Sequence, residues 1–366
     1  MKNKVLSVYF GILLLAGVML HIAVPDKYYS GSEKRTLAKS PRFSAESFLS
    51  GEFSDKLEKY LADQFPGRDG WISVKTFAEL GIGMRECNGV YFGKNGYLIS
   101  SFDGYDRAQF EKNVSVLESF SGNMEKKGIA VKVMLVPTAV EILDDKLPQF
   151  APHISQREML EHVKSRNLDV VDVSDILSQH KNEYIYYKTD HHYTSLGAYY
   201  CYSEWKRAKG ESAEPLWLWD KEVLSENFRG TNYSKVNYPL ASYDYITACY
   251  RKENHNVSYN NGSYVTDSIY ERKYLDGKDQ YAVFFNSNQA TTVIDGDGEG
   301  RLLIIKDSYA NCFAQFVIDE YEQTHLLDMR FYRKSVSEYI SENNITEVLV
   351  LYNIPNFAGD AAFYPY

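Results

Sequence analysis

Asp190, His191 and His192 stand in a row in YYKTDHHYTSLGAYY, and Ser308 follows Asp307 in RLLIIKDSYANCF. A serine hydroxyl is a weak nucleophile until a base removes its proton. His192 can take that proton on one ring nitrogen, while Asp190 holds the other and fixes the tautomer. The Asp-x-His spacing lets both side chains project from one loop. Ser308 stands where an apolar run gives way to a helix, and there backbone N–H groups and the helix dipole favour a developing oxyanion. Each half also has a plainer reading. A Ser or Asp at such a turn can serve only as a helix N-cap. Thr194 or Ser195 can cap the next helix while the histidines bond locally. Asp190, His191 and His192 are also competent metal ligands. A metal site needs further ligands, and the remaining histidines (His21, His153, His162, His180, His255, His325) form no recognisable ligand pair. The expectation is a serine triad with no metal and no other cofactor.

Such a triad needs a scaffold, and the rest of the chain describes one. Phe110, Val114, Leu117, Phe120 and Met124 make one helical stripe that Gly128 ends, and IAVKVMLV (129–136) is then a continuous apolar strand. A helix at about 155–166 leads to the strand LDVVDV, and another helix runs from Ser195 to about Lys209. RLLIIK (301–306) precedes a helix near Ser308, and EVLVLYN (347–353) closes the pattern. Apolar runs alternating with helices predict an α/β fold whose mainly parallel sheet is covered on both faces. Such sheets carry their working residues at the C-terminal ends of strands. Ser308 meets that condition, as do Asp190 and His192 after the short strand EYIYYK, and Asn353 at the end of VLVLYN. Asn353 and the Ser308 N–H are the candidate oxyanion donors. Arg330, in LLDMRFY, can position an anionic or carbonyl group, or pair with Asp328 at the surface.

Two further segments flank this core. NGVYFGKNGYL (88–98) reads as a hairpin turning at Lys94-Asn95-Gly96, and a helix carrying Phe53, Leu57, Tyr60 and Leu61 stops at Pro66-Gly67. The Tyr- and Asn-rich stretch 228–280 lacks periodicity and is expected to be an insertion of loops or short strands.

The chain has 366 residues and a net charge of −9, with no Lys/Arg stripe, which argues against nucleic acid as a partner. Tyr is abundant, with 31 copies, and suits wet, sugar-facing or interfacial surfaces. Cys87, Cys201, Cys249 and Cys312 are scattered without a CxxC pair and are expected as free, buried thiols. Val5 to Val24 contains no charged residue, and a helix of that length spans about 30 Å, a bilayer core. Lys2 and Lys4 before it put the N-terminus in the cytoplasm. The expected layout is a cytoplasmic tip (1–4), an uncleaved single-pass anchor (5–24), a juxtamembrane linker and helical segment (25–84), and an extracytoplasmic α/β domain (85–366).

TDHHYTSLGAYY, IIKDSYANCF, LLDMRFY, FRGTNYSK and the early EKRTLAKSPRFS, FPGR and NGVYFGKNGYL together resemble the bacterial DHHW family, which is related to SGNH-like proteins of alginate O-acetylation. The resemblance covers nearly all of the chain after the anchor. It implies an SGNH-hydrolase-like, flavodoxin-type sheet in permuted order, with the Asp-x-His block before the Ser block. It implies Ser308 as nucleophile, His192 as base and Asp190 as orienter. Tyr309 and His191, inside the same blocks, join Asn353 and Arg330 on the oxyanion or substrate side. The family word has Trp where this chain has Tyr193, and Lys306 precedes Asp307 where many SGNH proteins have Gly. The implied activity is O-acetylation of a cell-surface polysaccharide, with a membrane-bound O-acyltransferase delivering the acetyl group. Two alternatives stay open: a carbohydrate esterase or deacetylase, and a non-catalytic polysaccharide-binding assembly protein.

Overall fold

The computed structural model describes the backbone of residues 2–30 and 35–365. The chain divides into two compact units, Met1–Cys87 with Ser234–Leu240, and Asn88–Tyr233 with Ala241–Tyr366. The smaller unit contains helices at Lys2–Ala23, Glu52–Asp63 and Arg68–Gly81. Among the described residues no helix is long and apolar enough to cross a membrane, so the anchor expected at 5–24 stands as a helix only. Residues 234–240, expected within an insertion of the α/β domain, instead belong to this unit. Thr76 Oγ1 donates to the Val236 carbonyl at 2.7 Å, and the Asn237 amide donates to the Asp69 carbonyl at 2.6 Å.

The larger unit is built on one eight-stranded sheet. Its strands are β1 (Ala130–Val136), β2 (Asp169–Val170), β3 (Val257–Tyr259), β4 (Tyr264–Thr266), β5 (Thr291–Asp295), β6 (Arg301–Lys306), β7 (Gln323–Leu327) and β8 (Glu347–Asn353). They lie in the order β4-β3-β5-β7-β6-β8-β1-β2. The run from β7 to β2 is parallel, and β5, β3 and β4 extend it antiparallel. Leu302 to Lys306 and Val348 to Asn353 are buried without a break, as expected of strands covered on both faces. Among its helices are α1 (Arg107–Glu125), α2 (Gln156–Lys164), α3 (Ser195–Ala208), α4 (Tyr309–Ala314), α5 (Val336–Glu342) and α6 (Ile354–Gly359).

Local chemistry sets these bounds. Asp106 caps α1 by accepting from the Gln109 N–H, and the predicted stripe from Phe110 to Met124 is buried. After α1, Gly128 takes φ +76°, a left-handed turn that a residue without Cβ enters freely. The hairpin forms as predicted, with Val90–Phe92 antiparallel to Leu98–Ser100 and Asn95 at φ 58° in its turn. LDVVDV shortens to the two residues of β2. EYIYYK is not a strand: it makes only a single bridge, Tyr186 to Tyr193, which folds the segment back on itself. The 228–280 stretch is less separate than expected, because β3 and β4 within it complete the main sheet. All four cysteines are free and buried.

One buried titratable group in this sheet has a measurable consequence. His325 on β7 is 1% exposed and hydrogen-bonds Tyr339 of α5 through Nδ1 at 2.8 Å. Burial, aided by the charge of Arg301, pushes its pKa from 6.5 down to about 4. The unfolded chain therefore binds more protons between those values, and stability must fall as pH drops through that window. The loss approaches about 3 kcal/mol by linkage. Urea midpoints measured at pH 6.5 and 4 should differ less in His325→Leu than in wild type. An equal difference in both proteins would rule out His325 as the source.

Candidate active site

Asp190, His192 and Ser308 lie in line. Asp190 Oδ1 is 2.5 Å from His192 Nδ1, and His192 Nε2 is 2.8 Å from Ser308 Oγ. All three residues are buried, Ser308 the least at 9% exposed. Ser308 is the residue before α4, but its side chain does not cap that helix. Asp307 holds the turn instead: its Oδ1 accepts from the Tyr309 N–H at 2.9 Å. The Ser308 hydroxyl is thus left to His192.

Several contacts fix the histidine. Its own N–H donates to Asp190 Oδ1 at 3.0 Å. Its ring stacks on Tyr281, with centroids 3.8 Å apart and planes 9° apart. Tyr281 in turn donates its hydroxyl to the Ser308 carbonyl at 3.2 Å, tying base and nucleophile to one side chain. Burial raises the pKa of the Tyr281 phenol well above its ordinary value, so it remains a donor. Thr194 caps α3, its Oγ1 accepting from the Gly197 N–H. That capping role and the histidine's bond to Ser308 coexist.

Asp190 is held by a segment forty residues away in sequence. Its Oδ2 accepts from the Thr231 N–H at 2.7 Å. Gly230 lies so close that a Cβ there would stand 2.2 Å from both the Cβ and the Oδ2 of Asp190. A second carboxylate, Asp244, fastens the approach to the triad loop. It accepts from the Lys188 and Thr189 N–H groups and the Thr189 hydroxyl, at 2.6–2.8 Å, and from the Tyr184 hydroxyl. Burial raises its pKa, and these donors oppose the shift. Gly230, Thr231, Asp244 and Tyr281 were not singled out from sequence. The only signal was the FRGTNYSK block itself, whose glycine has no reason to be there until Asp190 is seen against it.

The other predicted site residues divide. His191 is partly exposed beside His192, with ring centroids 3.9 Å apart. Tyr309 is fully buried and donates its hydroxyl to the His191 carbonyl at 2.6 Å, while its own carbonyl accepts from Tyr193 at 2.7 Å. These bonds make Tyr309 a brace of the loop, and they give Tyr193 its task at the family's Trp position. Asn353 does not stand ready for an oxyanion. Its Nδ2 donates to Asp307 Oδ2 at 2.7 Å and its Oδ1 caps α6. Arg330 makes a two-point pair with Asp328 at 2.6 and 2.9 Å, and that carboxylate is fully buried rather than at the surface. Burial works against the Arg330 charge, but Asp328 outweighs it and the pKa rises. Lys306 is buried next to this pair, 3.8 Å from Asp328, and burial pushes its pKa down to about 8.

Asp190, His191 and His192 each offer a potential ligand atom within 4.8 Å of the others. His192 Nδ1 and both Asp190 oxygens already serve the hydrogen bonds above, so the donor set fits a triad better than an ion.

The family model described as "DHHW protein" matches residues 33–90 and 90–327. No curated protein matches the sequence. Among solved structures, a DHHW family protein from Eubacterium siraeum is 26% identical with a TM-score of 0.67, over 76% of this chain and 94% of that one. Bacillus cereus PatB1 is similar at 21% identity and a TM-score of 0.62, over 74% and 97%. The O-acetyltransferase domain of Pseudomonas putida AlgJ shares the fold at 12% identity and a TM-score of 0.50, over 75% and 94%. With the family model spanning most of its length and the Asp-His-His block standing at the site itself, this chain belongs to the DHHW family.

Proposed function

We propose that the protein is an SGNH-like acyltransferase that carries an acetyl group on Ser308 and passes it to a hydroxyl of a cell-surface polysaccharide. The observation that carries this reading is the hydrogen-bonded line Asp190–His192–Ser308. In the first half-reaction, Ser308 Oγ bonds to the acyl carbon while its proton passes to His192 Nε2. The bond to the donor then breaks, and the donor leaves with that proton. In the second, His192 takes a proton from the sugar hydroxyl, whose oxygen bonds to the acyl carbon, and Ser308 departs with the proton restored. Asp190 steadies the imidazolium in both. The Ser308 N–H is the candidate donor to the oxyanion. Water in place of the sugar gives the esterase reading through the same acyl-enzyme.

Acetyl transfer is suggested by the likeness to a domain named for it, and the polysaccharide acceptor is what the sequence resemblance to the DHHW family implies. The setting rests on the uncharged run Val5–Val24 behind Lys2 and Lys4, which fits a single-pass anchor with the bulk of the chain outside. Acetyl-CoA is confined to the cytoplasm, so this setting requires a partner that delivers the acetyl group, and the resemblance to the DHHW family suggests a membrane-bound O-acyltransferase.

One experiment tests chemistry and setting together. A charged, membrane-impermeant activated acetyl ester is added to intact cells, and peptides are read by mass spectrometry. Acetyl on Ser308, absent in Ser308→Ala, is expected. Labelling only after lysis would move the domain to the cytoplasm. No labelling in either case would leave the non-catalytic assembly reading.

A further inference from the structure

Acyl transfer through a serine needs more than a nucleophile and a base. The oxyanion that forms on the acyl oxygen must be met by fixed hydrogen-bond donors, commonly more than one. The Ser308 N–H is one such donor. Asn353 is not another, because its amide is spent on Asp307. A replacement stands on the segment that begins with Tyr281. That segment touches the site at both ends. Tyr281 stacks on His192 and donates to the Ser308 carbonyl. Asn288 Oδ1 accepts from Lys306 Nζ at 3.2 Å and from Asn311 Nδ2 at 3.3 Å. These donors belong to the residues two before and three after Ser308, so one oxygen clasps both arms of the serine turn.

The direction of the Asn288 amide follows from chemistry. An ammonium group donates and cannot accept. Burial lowers the Lys306 pKa only to about 8, so Lys306 is largely charged at neutral pH. The Asn288 atom that faces it must be the oxygen, and the amide nitrogen points the other way. That Nδ2 makes no hydrogen bond among the described residues and is not sealed from solvent. The backbone that delivers Asn288 has an uncommon shape. Phe285, Asn286 and Ser287 take φ of 52°, 55° and 67° in succession, all left-handed and none of them glycine. The Ser287 N–H donates to the Ala282 carbonyl at 2.9 Å and the Phe285 N–H to the Ile269 carbonyl at 2.8 Å. The Tyr274 hydroxyl donates to Asn286 Oδ1 at 2.9 Å. Strained backbone that its surroundings hold in place gathers at functional sites.

We infer that Asn288 Nδ2 is the second oxyanion donor of this site, acting together with the Ser308 N–H. The inference rests on the proposed acyl transfer and adds a catalytic residue to it. As Ser308 Oγ bonds to the acyl carbon, the carbonyl π pair moves onto the acyl oxygen. Asn288 donates a hydrogen bond to that oxygen and gives up no proton. The pair returns to the carbon–oxygen bond when the leaving group departs. The clasp by Lys306 and Asn311 keeps the amide aimed throughout.

The test compares Asn288→Asp with Asn288→Ala in the full chain, with para-nitrophenyl acetate as the ester and phenylboronic acid as a mimic of the tetrahedral intermediate. A carboxylate keeps an acceptor for Lys306 and Asn311 but has no N–H. Asn288→Asp should therefore melt as wild type does, while its kcat falls about 10²–10³-fold and its KM stays within about twofold. Asn288→Ala, which loses the clasp as well, should lose at least as much. In both variants boronate affinity should fall in step with kcat/KM. Near-wild-type kcat in Asn288→Asp, a loss in Asn288→Asp that Asn288→Ala does not share, or unchanged boronate affinity beside a lowered kcat would each overturn the inference. Ester turnover that needs Ser308 but not Asn288 removes this inference alone. No turnover by wild type removes the acyl-transfer reading and this inference with it.

Discussion

Ser308→Ala and His192→Ala are each expected to lower hydrolysis of an activated acetyl ester by roughly 10⁴-fold or more, and the double variant should be no worse than either. A nucleophile and its base act as one unit, so removing either leaves only binding and oxyanion stabilisation. Asp190→Asn should cost about 10⁴-fold, because the amide no longer fixes the tautomer that aims Nε2 at Ser308. His191→Ala should cost far less, since its ring lies beside the line rather than in it. The assay is kcat/KM on one ester, with circular dichroism to check that each variant is folded. Additive losses in the double variant would break the unit apart. Activity removed by a chelator, restored by a divalent ion and retained in Ser308→Ala would point instead to metal held by Asp190, His191 and His192.

Gly230→Ala is expected to cost about 10²-fold in activity and also to lower the melting temperature. The new Cβ would fall 2.2 Å from two atoms of Asp190, a distance no real contact tolerates. Either the 230–231 backbone retreats and the Thr231 bond to Oδ2 is lost, or Asp190 shifts and carries His192 with it. Overpacking of this kind costs about 1–3 kcal/mol, and a misplacement of about 1 Å at a reacting group costs about 10²-fold. Gly104→Ala is the control, because nothing lies within 4 Å of its added Cβ. Wild-type activity in Gly230→Ala would show that Asp190 has more freedom than its contacts imply.

How much of this was legible in the sequence differed by the range of the forces involved. Helix α1 and its Gly128 end are set by neighbours within a few residues, and they read correctly. The buried strands β1, β6 and β8 were legible because apolar runs covered on both faces carry a strong signal. Ser308 could be placed because an apolar strand of the sheet ends just before it, and His192 was paired with it by the chemistry a serine nucleophile needs rather than by a strand end of its own. EYIYYK was misread because alternating aromatics suit a strand, whereas here the chain doubles back through the Tyr186–Tyr193 bridge. Asn353 was placed at the correct strand end, but its partner Asp307 lies 46 positions away. The same distance hid Gly230, Thr231 and Asp244, whose value depends on pairings that no local pattern encodes. The return of residues 234–240 to the smaller unit was hidden for the same reason.

The anchoring of Asp307 has a consequence for biosynthesis. Its Oδ2 is held by the Asn353 backbone and side-chain N–H groups and by the Asn356 amide, at 2.7–3.1 Å. A ribosome makes Ser308 well before it makes those residues. Until they emerge and β8 inserts between β6 and β1, the turn carrying the serine lacks its main support. Central strands joined by distant segments close late in folding. From the moment Ser308 is made until the last residues of the chain have emerged and folded, the serine should therefore be unreactive, becoming competent only once the sheet has closed around it.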